Sequence, residues 1–484
     1  MDRTKRILPL LCCLLWAAAT RAQQPVLHAR DNLHATAGTI DRIGPAESSP
    51  VTAADSTRCD GAATSRNTAD TTAAAVKRPG LIRRIIDYYS RSNVDRTFEK
   101  RIDWSIAPGP SYASDTGLGL GFLVAGLYRR DRTDTVTAPS DISIYGYVTT
   151  KKYITLRFSG QNIFNGNKQK LNYSGAFVHY PGDFYGVGWT DGANGYKQAL
   201  TTTIGTMNID YGMSVWRELF LGVSGGIDYS GAKYASSGMA GRLDAIADEV
   251  AAGGAVPGGT LGRLYELWTE GRYDPALQDP FSNYIESTGE KPDALNTHIG
   301  IFAQYDTRDV SFNAFRGVFV KLEAKWYPRV LGNTGSDFGR ITCTFDWYRR
   351  LWRGAVLAYD LYGDFLLGTP SWHMFAKLGG SDRMRGYYEG RYRDKRLVET
   401  QLELRQRIYR RHGIVAWGGL GNIWGRSPFR WRNTLYNFGA GYRFEFKKRM
   451  NIRFDYGWGR FGNRNLPWDD KRSSAFFFTI SEAF

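Results

Sequence analysis

From Asp103 to the C-terminus the chain alternates apolar and polar residues with a period of two, interrupted by turns. Ile154, Leu156 and Phe158 alternate with Tyr153, Thr155, Arg157 and Ser159. Val318, Val320, Leu322, Ala324 and Trp326 alternate with Lys321, Glu323 and Lys325. Val398, Leu402, Leu404 and Ile408 alternate with Glu399, Gln401, Glu403, Arg405 and Arg407, and Ile452, Phe454, Tyr456 and Trp458 with Asn451, Arg453 and Asp455. Successive side chains of a strand point to opposite faces, so each segment predicts one apolar and one polar face. Sixteen strands are predicted, beginning near Asp103, Gly117, Ile142, Tyr153, Leu171, Ala199, Leu219, Thr297, Gly317, Arg340, Ala355, Leu397, Ile414, Leu435, Asn451 and Ser474. Helical spacing occurs in two places. Leu81, Ile82, Ile85, Ile86 and Tyr89 share a face within 80–101, and Leu243, Ile246, Ala247 and Val250 share one within Met239 to Val250.

A soluble sandwich would show the same alternation with its apolar face turned inward. The extent of the pattern and its last segment favour the opposite arrangement. Phe476, Phe478, Ile480 and Phe484 fall on one side of the final strand, with Thr479, Ser481 and Ala483 on the other. An aromatic strand stopping at a C-terminal Phe is expected of a transmembrane β-barrel and serves as a candidate sorting signal. Charges facing lipid would cost about 2–4 kcal/mol each at the midplane, so the polar face must line the lumen. The expected fold is all-β, a transmembrane 16-stranded antiparallel barrel over 102–484. An even strand count places both termini on one side, the periplasm. The connections at about Ala235 to Asn296 and Gly368 to Arg396 are then extracellular and long. Those at Trp216-Arg217-Glu218 and Lys447-Lys448-Arg449 are periplasmic and short.

Upstream, Arg3, Lys5 and Arg6 precede an apolar run from Ile7 to Ala19 and a small-residue site at Thr20-Arg21-Ala22, the plan of a signal peptide over 1–22. Residues 23–79 are a polar tail of disordered composition. The segment 80–101 reads as a periplasmic lead-in helix. The mean hydropathy of −0.39 hides the barrel, because every second residue of a strand is polar. The 14 Trp, 29 Tyr, 26 Phe and 55 Gly suit aromatic girdles and tight turns. The net charge of +16 is spread through strands and turns, with no basic helix or zinc-finger spacing. It predicts attraction to outer-membrane lipid headgroups or anionic solutes rather than to nucleic acid. Cys12 and Cys13 leave with the signal, and Cys59 and Cys343 predict no disulfide framework. His28 and His34 lie in the tail. His179, His298, His373 and His412 are expected at strand ends or loops, without a nucleophile elbow or ligand spacing. No catalytic, metal-binding or cofactor-binding set emerges, and the chain reads as no enzyme.

The most specific stretch is Gly379-Gly380-Ser381-Asp382-Arg383-Met384-Arg385-Gly386-Tyr387-Tyr388-Glu389-Gly390, continuing to Lys395, between the eleventh and twelfth strands. It resembles the inserted sixth-loop motif of the barrel-assembly (BamA/TamA) superfamily, a Val-Arg-Gly-Tyr or Val-Arg-Gly-Phe signature, with Met384 in place of Val. Asp306, Arg308, Asp309 and Gly317 resemble that superfamily's turn into strand nine, with Ala314 where Pro is favoured. Glu403-Leu404-Arg405 resembles its Glu-x-Arg strand. The resemblance covers roughly residues 103 to 484 and implies a loop folded back into the lumen, with Arg385, Gly386 and Tyr387 at its tip and Glu403 as acid partner. The superfamily's second acid falls at Gly419 here, so the resemblance implies a weakened lock. It also implies a surface-antigen-type member without the periplasmic POTRA domains, since only a tail and one helix precede the barrel.

Two functions follow as expectations. One is assembly, insertion or translocation of proteins or lipids at the bacterial outer membrane. It would act through a weak seam between first and last strands, with client outer-membrane proteins or a periplasmic partner. The other is a passive or gated pore, or an export channel for a separately encoded partner. The chain is expected to act as a monomer. Whether the Arg385 loop blocks the lumen separates the two.

Overall fold

The computed structural model describes residues 97–113, 116–131, 133–234, 239–311, 313–447, 450–459, 474–480 and 482–484. The signal, tail and nearly all of the lead-in helix lie outside these residues, and 97–102 are turn and bend. Sixteen strands close into a barrel: β1 (Asp103–Ala113), β2 (Gly117–Tyr128), β3 (Ser140–Thr149), β4 (Ile154–Phe164), β5 (Gln169–Phe184), β6 (Gln198–Trp216), β7 (Leu219–Tyr234), β8 (Ala294–Asp306), β9 (Gly317–Tyr327), β10 (Phe338–Arg350), β11 (Ala355–Gly368), β14 (Arg396–Tyr409), β15 (His412–Trp424), β16 (Leu435–Lys447), β17 (Met450–Trp458) and β18 (Ser474–Ile480). Every strand begins within three residues of the position the alternation predicts. Two further short strands, β12 (Ala376–Leu378) and β13 (Tyr392–Asp394), pair with each other inside the β11–β14 connection.

Each barrel strand is antiparallel to its neighbours. Following partners around the circuit accumulates a stagger of roughly 20 residues, which tilts the strands by about 40°. The outer wall is apolar. Leu118, Leu120, Val223, Ile299, Ile301 and Leu402 all stand exposed on it, Leu120 at 68%. The inner wall is polar: Asp360, Glu403 and Asp455 are fully buried. Buried apolar surface would normally fold such a chain, but here the apolar face points outward. Leaving so much of it in water would cost about 25 cal/mol per Å². That surface suits hydrocarbon, and closure suits it too, because every interior strand finds two partners.

Most connections at one end are turns of a few residues. The opposite end carries a cap. It contains α1 (Trp189–Asn194), α2 (Met239–Ala251), α3 (Gly259–Thr269) and α4 (Pro280–Thr288). The helix expected over Met239 to Val250 is present, whereas α3 and α4 carry no sequence signal that was read. Leu243 and Ile246 of α2 pack on Leu264 and Leu267 of α3. Nearer the wall, Phe281 of α4 meets Phe184 edge-on at 5.1 Å and Trp372 at 4.9 Å. Gln198 Oε1 accepts hydrogen bonds from the Phe281 and Ser282 amides, at 2.9 and 3.0 Å, and so satisfies the first turn of α4.

Candidate functional site: the lumen lock and the seam

The β11–β14 connection returns into the barrel. Its hairpin and tip bury Leu378, Met384, Tyr387 and Tyr392 against Leu397, Ile423 and Leu435 of the wall. Two glycines permit this approach. A Cβ on Gly457 of β17 would sit 1.9 Å from the Arg385 carbonyl oxygen, and Gly386 adopts φ 134° with the β17 backbone against it. Met384 has φ 44°, a left-handed conformation uncommon outside glycine. That turn sends Arg383 and Arg385 to different walls.

Arg385 is fully buried. Its Nη2 donates to Glu403 Oε2 at 2.5 Å, and its Nη1 donates to Asp455 Oδ2 at 2.9 Å. The guanidinium lies 3.7 Å from the Trp417 ring centroid. Asn437 Nδ2 donates to the Arg385 carbonyl at 3.2 Å, and the Tyr387 hydroxyl to the Tyr436 carbonyl at 2.9 Å. Arg383 makes a fork onto Asp360 of β11, both bonds 2.7 Å long. The wall continues the alternation of charge. Arg405 Nε donates to Glu403 at 2.7 Å, Arg443 Nη1 to Asp455 at 2.5 Å, and Arg453 Nη2 to Asp382 of the loop at 2.9 Å. Burying ions is costly unless each is paired and hydrogen-bonded, and here Asp360, Glu403 and Asp455 each meet at least one guanidinium.

The structure thus brings Arg385, Gly386, Tyr387 and Glu403 together. It also corrects the weakened lock expected from Gly419: the second acid is present, supplied by Asp455 from β17. Gly419 lies on β15, where Asn437 Oδ1 stands 2.5 Å from where its Cβ would be, so a side chain there would have to displace Asn437. Asp455 was already on the inward face of its strand, so the signal existed. Only a register would have shown that β17, two strands from β15 and three from β14, brings Asp455 to the guanidinium that Glu403 also meets. Asp360 and Arg443 were missed for the same reason.

The second cluster, Asp306, Arg308, Asp309 and Gly317, forms the β8–β9 turn. Arg308 donates to both Asp306 oxygens, from Nε at 3.0 Å and Nη2 at 2.9 Å. Asp309 Oδ1 accepts the Phe315 and Arg316 amides, at 2.9 and 3.4 Å. Gly317 has φ 115°. Ala314 packs with Tyr348, Ala358 and Phe484. This cluster stands apart from Arg385, at the short-turn end.

At the seam, β1 and β18 are matched among the described residues at two positions, Tyr112 with Phe478 and Ala113 with Phe477. The β1–β2 ladder runs the whole 11-residue length of β1. Pro108 and Pro110 lie two residues apart in β1 and carry no amide hydrogen. Alternate residues direct their amides to the same edge, so both missing donors belong to the edge facing β18. Phe476 and Phe478 keep the outward face, and Phe477 is buried within. Phe484 does not follow them. β18 ends at Ile480, and Phe484 lies 6.2 Å from Tyr348, with the Arg405 guanidinium 5.3 Å from its ring. Glu482 explains the turn: buried, it accepts from Arg443 Nε at 2.9 Å, and an outward carboxylate would face lipid.

In the cap, His373 belongs to a single 3-10 turn, Trp372–Met374. Its Nε2 lies 3.2 Å from Asn296 Nδ2. Burial, with Lys377 beside it, pushes its pKa down to about 3. It is therefore neutral at ordinary pH. His179 and His298 sit within β5 and β8 rather than in loops. No group of His, Cys, Asp and Glu fit to hold a metal occurs among the described residues.

No protein-family model matches this chain, and no curated protein does. Solved structures match. BamA from Haemophilus ducreyi lacking POTRA domains 1–3 is 12% identical over 79% of this chain and 70% of that one, with a TM-score of 0.48. CdiB from Escherichia coli is 10% identical over 80% and 68%, with a TM-score of 0.48. CdiB from Acinetobacter baumannii is 9% identical over 79% and 60%, with a TM-score of 0.46. These neighbours are β-barrel proteins of low sequence identity to this chain.

Proposed function

We propose that the chain is an outer-membrane β-barrel, both termini periplasmic, that assists insertion or translocation of protein chains through its β1–β18 seam. The observation that carries this reading is a contrast within one barrel. A loop enters the lumen and is fixed to β11, β14 and β17 through ion pairs to buried carboxylates, while among the described residues the seam is matched at two positions and lacks two donors on its β1 edge. A wall that opens sideways exposes unpaired backbone groups, and an incoming strand can add to such an edge. The apolar outer wall supports the membrane location, and the asymmetry of loop lengths supports the orientation. A freely conducting pore fits poorly with a lumen that this loop enters and the helices cap. A gated export channel keeps one specific observation in its favour, since the loop that enters the lumen is a single connection.

The test is refolding of a small client barrel into vesicles that hold this chain, against empty vesicles. Insertion several-fold faster with the chain is expected. A disulfide between cysteines at Tyr112 and Phe478 should abolish the gain, and a reductant should restore it. Equal rates in loaded and empty vesicles would overturn the assembly reading.

A further inference from the structure

A cleft of about 710 Å³ opens at the short-turn end of the barrel. It lies between the β10–β11 turn and the β14–β15 turn, and neither Arg383 nor Arg385 of the loop lines it. Seven guanidiniums line it against two carboxylates. Arg350, Arg353, Arg407, Arg410 and Arg411 stand around it, and Arg405 and Arg443 form its floor. Both carboxylates are engaged: Glu445 accepts from Arg407 Nη2 at 2.9 Å, and Glu482 from Arg443 Nε at 2.9 Å. Arg405, 7% exposed, keeps a buried Nη1 with no hydrogen-bond partner among the described residues. Arg350 stacks over Phe315 at 5.4 Å and Arg410 over Tyr409 at 5.1 Å. A stacked guanidinium keeps its in-plane donors for an oxygen ligand.

The second half of the site is apolar. Ile408 and Ile414 also line the cleft, and on the outer wall they are 63% and 50% exposed. Leu404 and Leu402 continue that strip along β14. Trp352 and Tyr409 stand exposed on the same two turns, as residues of an interfacial aromatic girdle do. The cleft thus joins a concentration of positive charge to the bilayer-facing surface. A free anion or an acidic peptide would use only the first part. An amphiphile uses both, with its head among the arginines and its chains along β14 and β15.

We propose that this cleft binds the phosphate headgroup of an anionic phospholipid from the adjoining leaflet. The inference rests on the membrane placement argued above and not on the assembly role. Each basic residue near such a headgroup contributes about 1 kcal/mol, so three together are worth about 100-fold in affinity.

Short-chain phosphatidylglycerol titrated into the full-length protein in neutral detergent tests this, with bound lipid read by native mass spectrometry. Arg350→Gln/Arg353→Gln/Arg410→Gln should weaken binding by about 100-fold and flatten its salt dependence. If the triple variant fails to fold, Arg353→Gln alone should weaken it several-fold. Three results would each overturn the proposal: unchanged affinity in a folded variant, equal binding of phosphatidylcholine, or equal displacement by inorganic phosphate or a glutamate peptide at the lipid's own concentration. The last would make it an anion site without lipid recognition. Failure of the protein to enter vesicles at all would sink the membrane reading instead. Entry without preference for the anionic lipid sinks this proposal alone.

Discussion

Removing the Arg385 guanidinium would leave Glu403 and Asp455 charged and buried with one donor fewer each. Breaking a buried pair from one side costs about 3–5 kcal/mol, because the surviving charge cannot return to water. Arg385→Ala should therefore lower the heat-resistant folded fraction on cold-versus-boiled gels. Asp455→Asn should lower it less, since Arg385 keeps Glu403. Arg385→Lys should rescue poorly, because a compact ammonium lacks the planar fork that meets both carboxylates in fixed geometry while stacking on Trp417. Unchanged resistance in Arg385→Ala would remove the lock. At this scale the sequence was legible where a strand's parity was enough. Glu403 was found because it alternates with Leu402 and Leu404. Asp455 also stood on an inward face, yet its role depends on which strand lies across from it. Periodicity carries no such information.

Elements were more legible than contacts. A period of two survives along each strand, whatever its neighbours, because lipid and lumen act on opposite faces. β8 was the least accurate, expected at Thr297 and beginning at Ala294, where strand and cap merge. Helices α3 and α4 were missed because each is short and turns a small apolar face inward, α3 to α2 and α4 to the wall, rather than repeating a long apolar stripe. The β12–β13 pair was missed because it is too short to show alternation. That connection is also the testable element. Deleting 380–395 should turn small or flickering single-channel currents in planar bilayers into large, steady ones. Large steady currents from the intact protein would mean that the loop does not block conduction, and the seam-based reading would lose its main support.

For the whole molecule, the tail at Phe484 links the last strand to the wall on the far side of the lumen. The Arg405 guanidinium stacks on the Phe484 ring, and its Nη2 donates to the Phe484 carbonyl at 3.0 Å. Deleting Phe484 should act twice. The folded barrel should lose about 1–2 kcal/mol through the lost cation–π and hydrogen bond, read as a lower unfolding temperature. Delivery to the membrane should also fall if the terminal aromatic is read in transit, which the yield of inserted protein in cells measures separately. Normal yield with lower stability would leave only the structural role.

A receptor able to recognise Phe476, Phe478 and Phe484 together can do so only while the chain is unfolded. In the finished barrel the first two face outward and the third is tucked against Tyr348. An address written in these residues is therefore erased by the act of delivery. If such an address is read, a completed barrel would not compete with newly made chains for its reader.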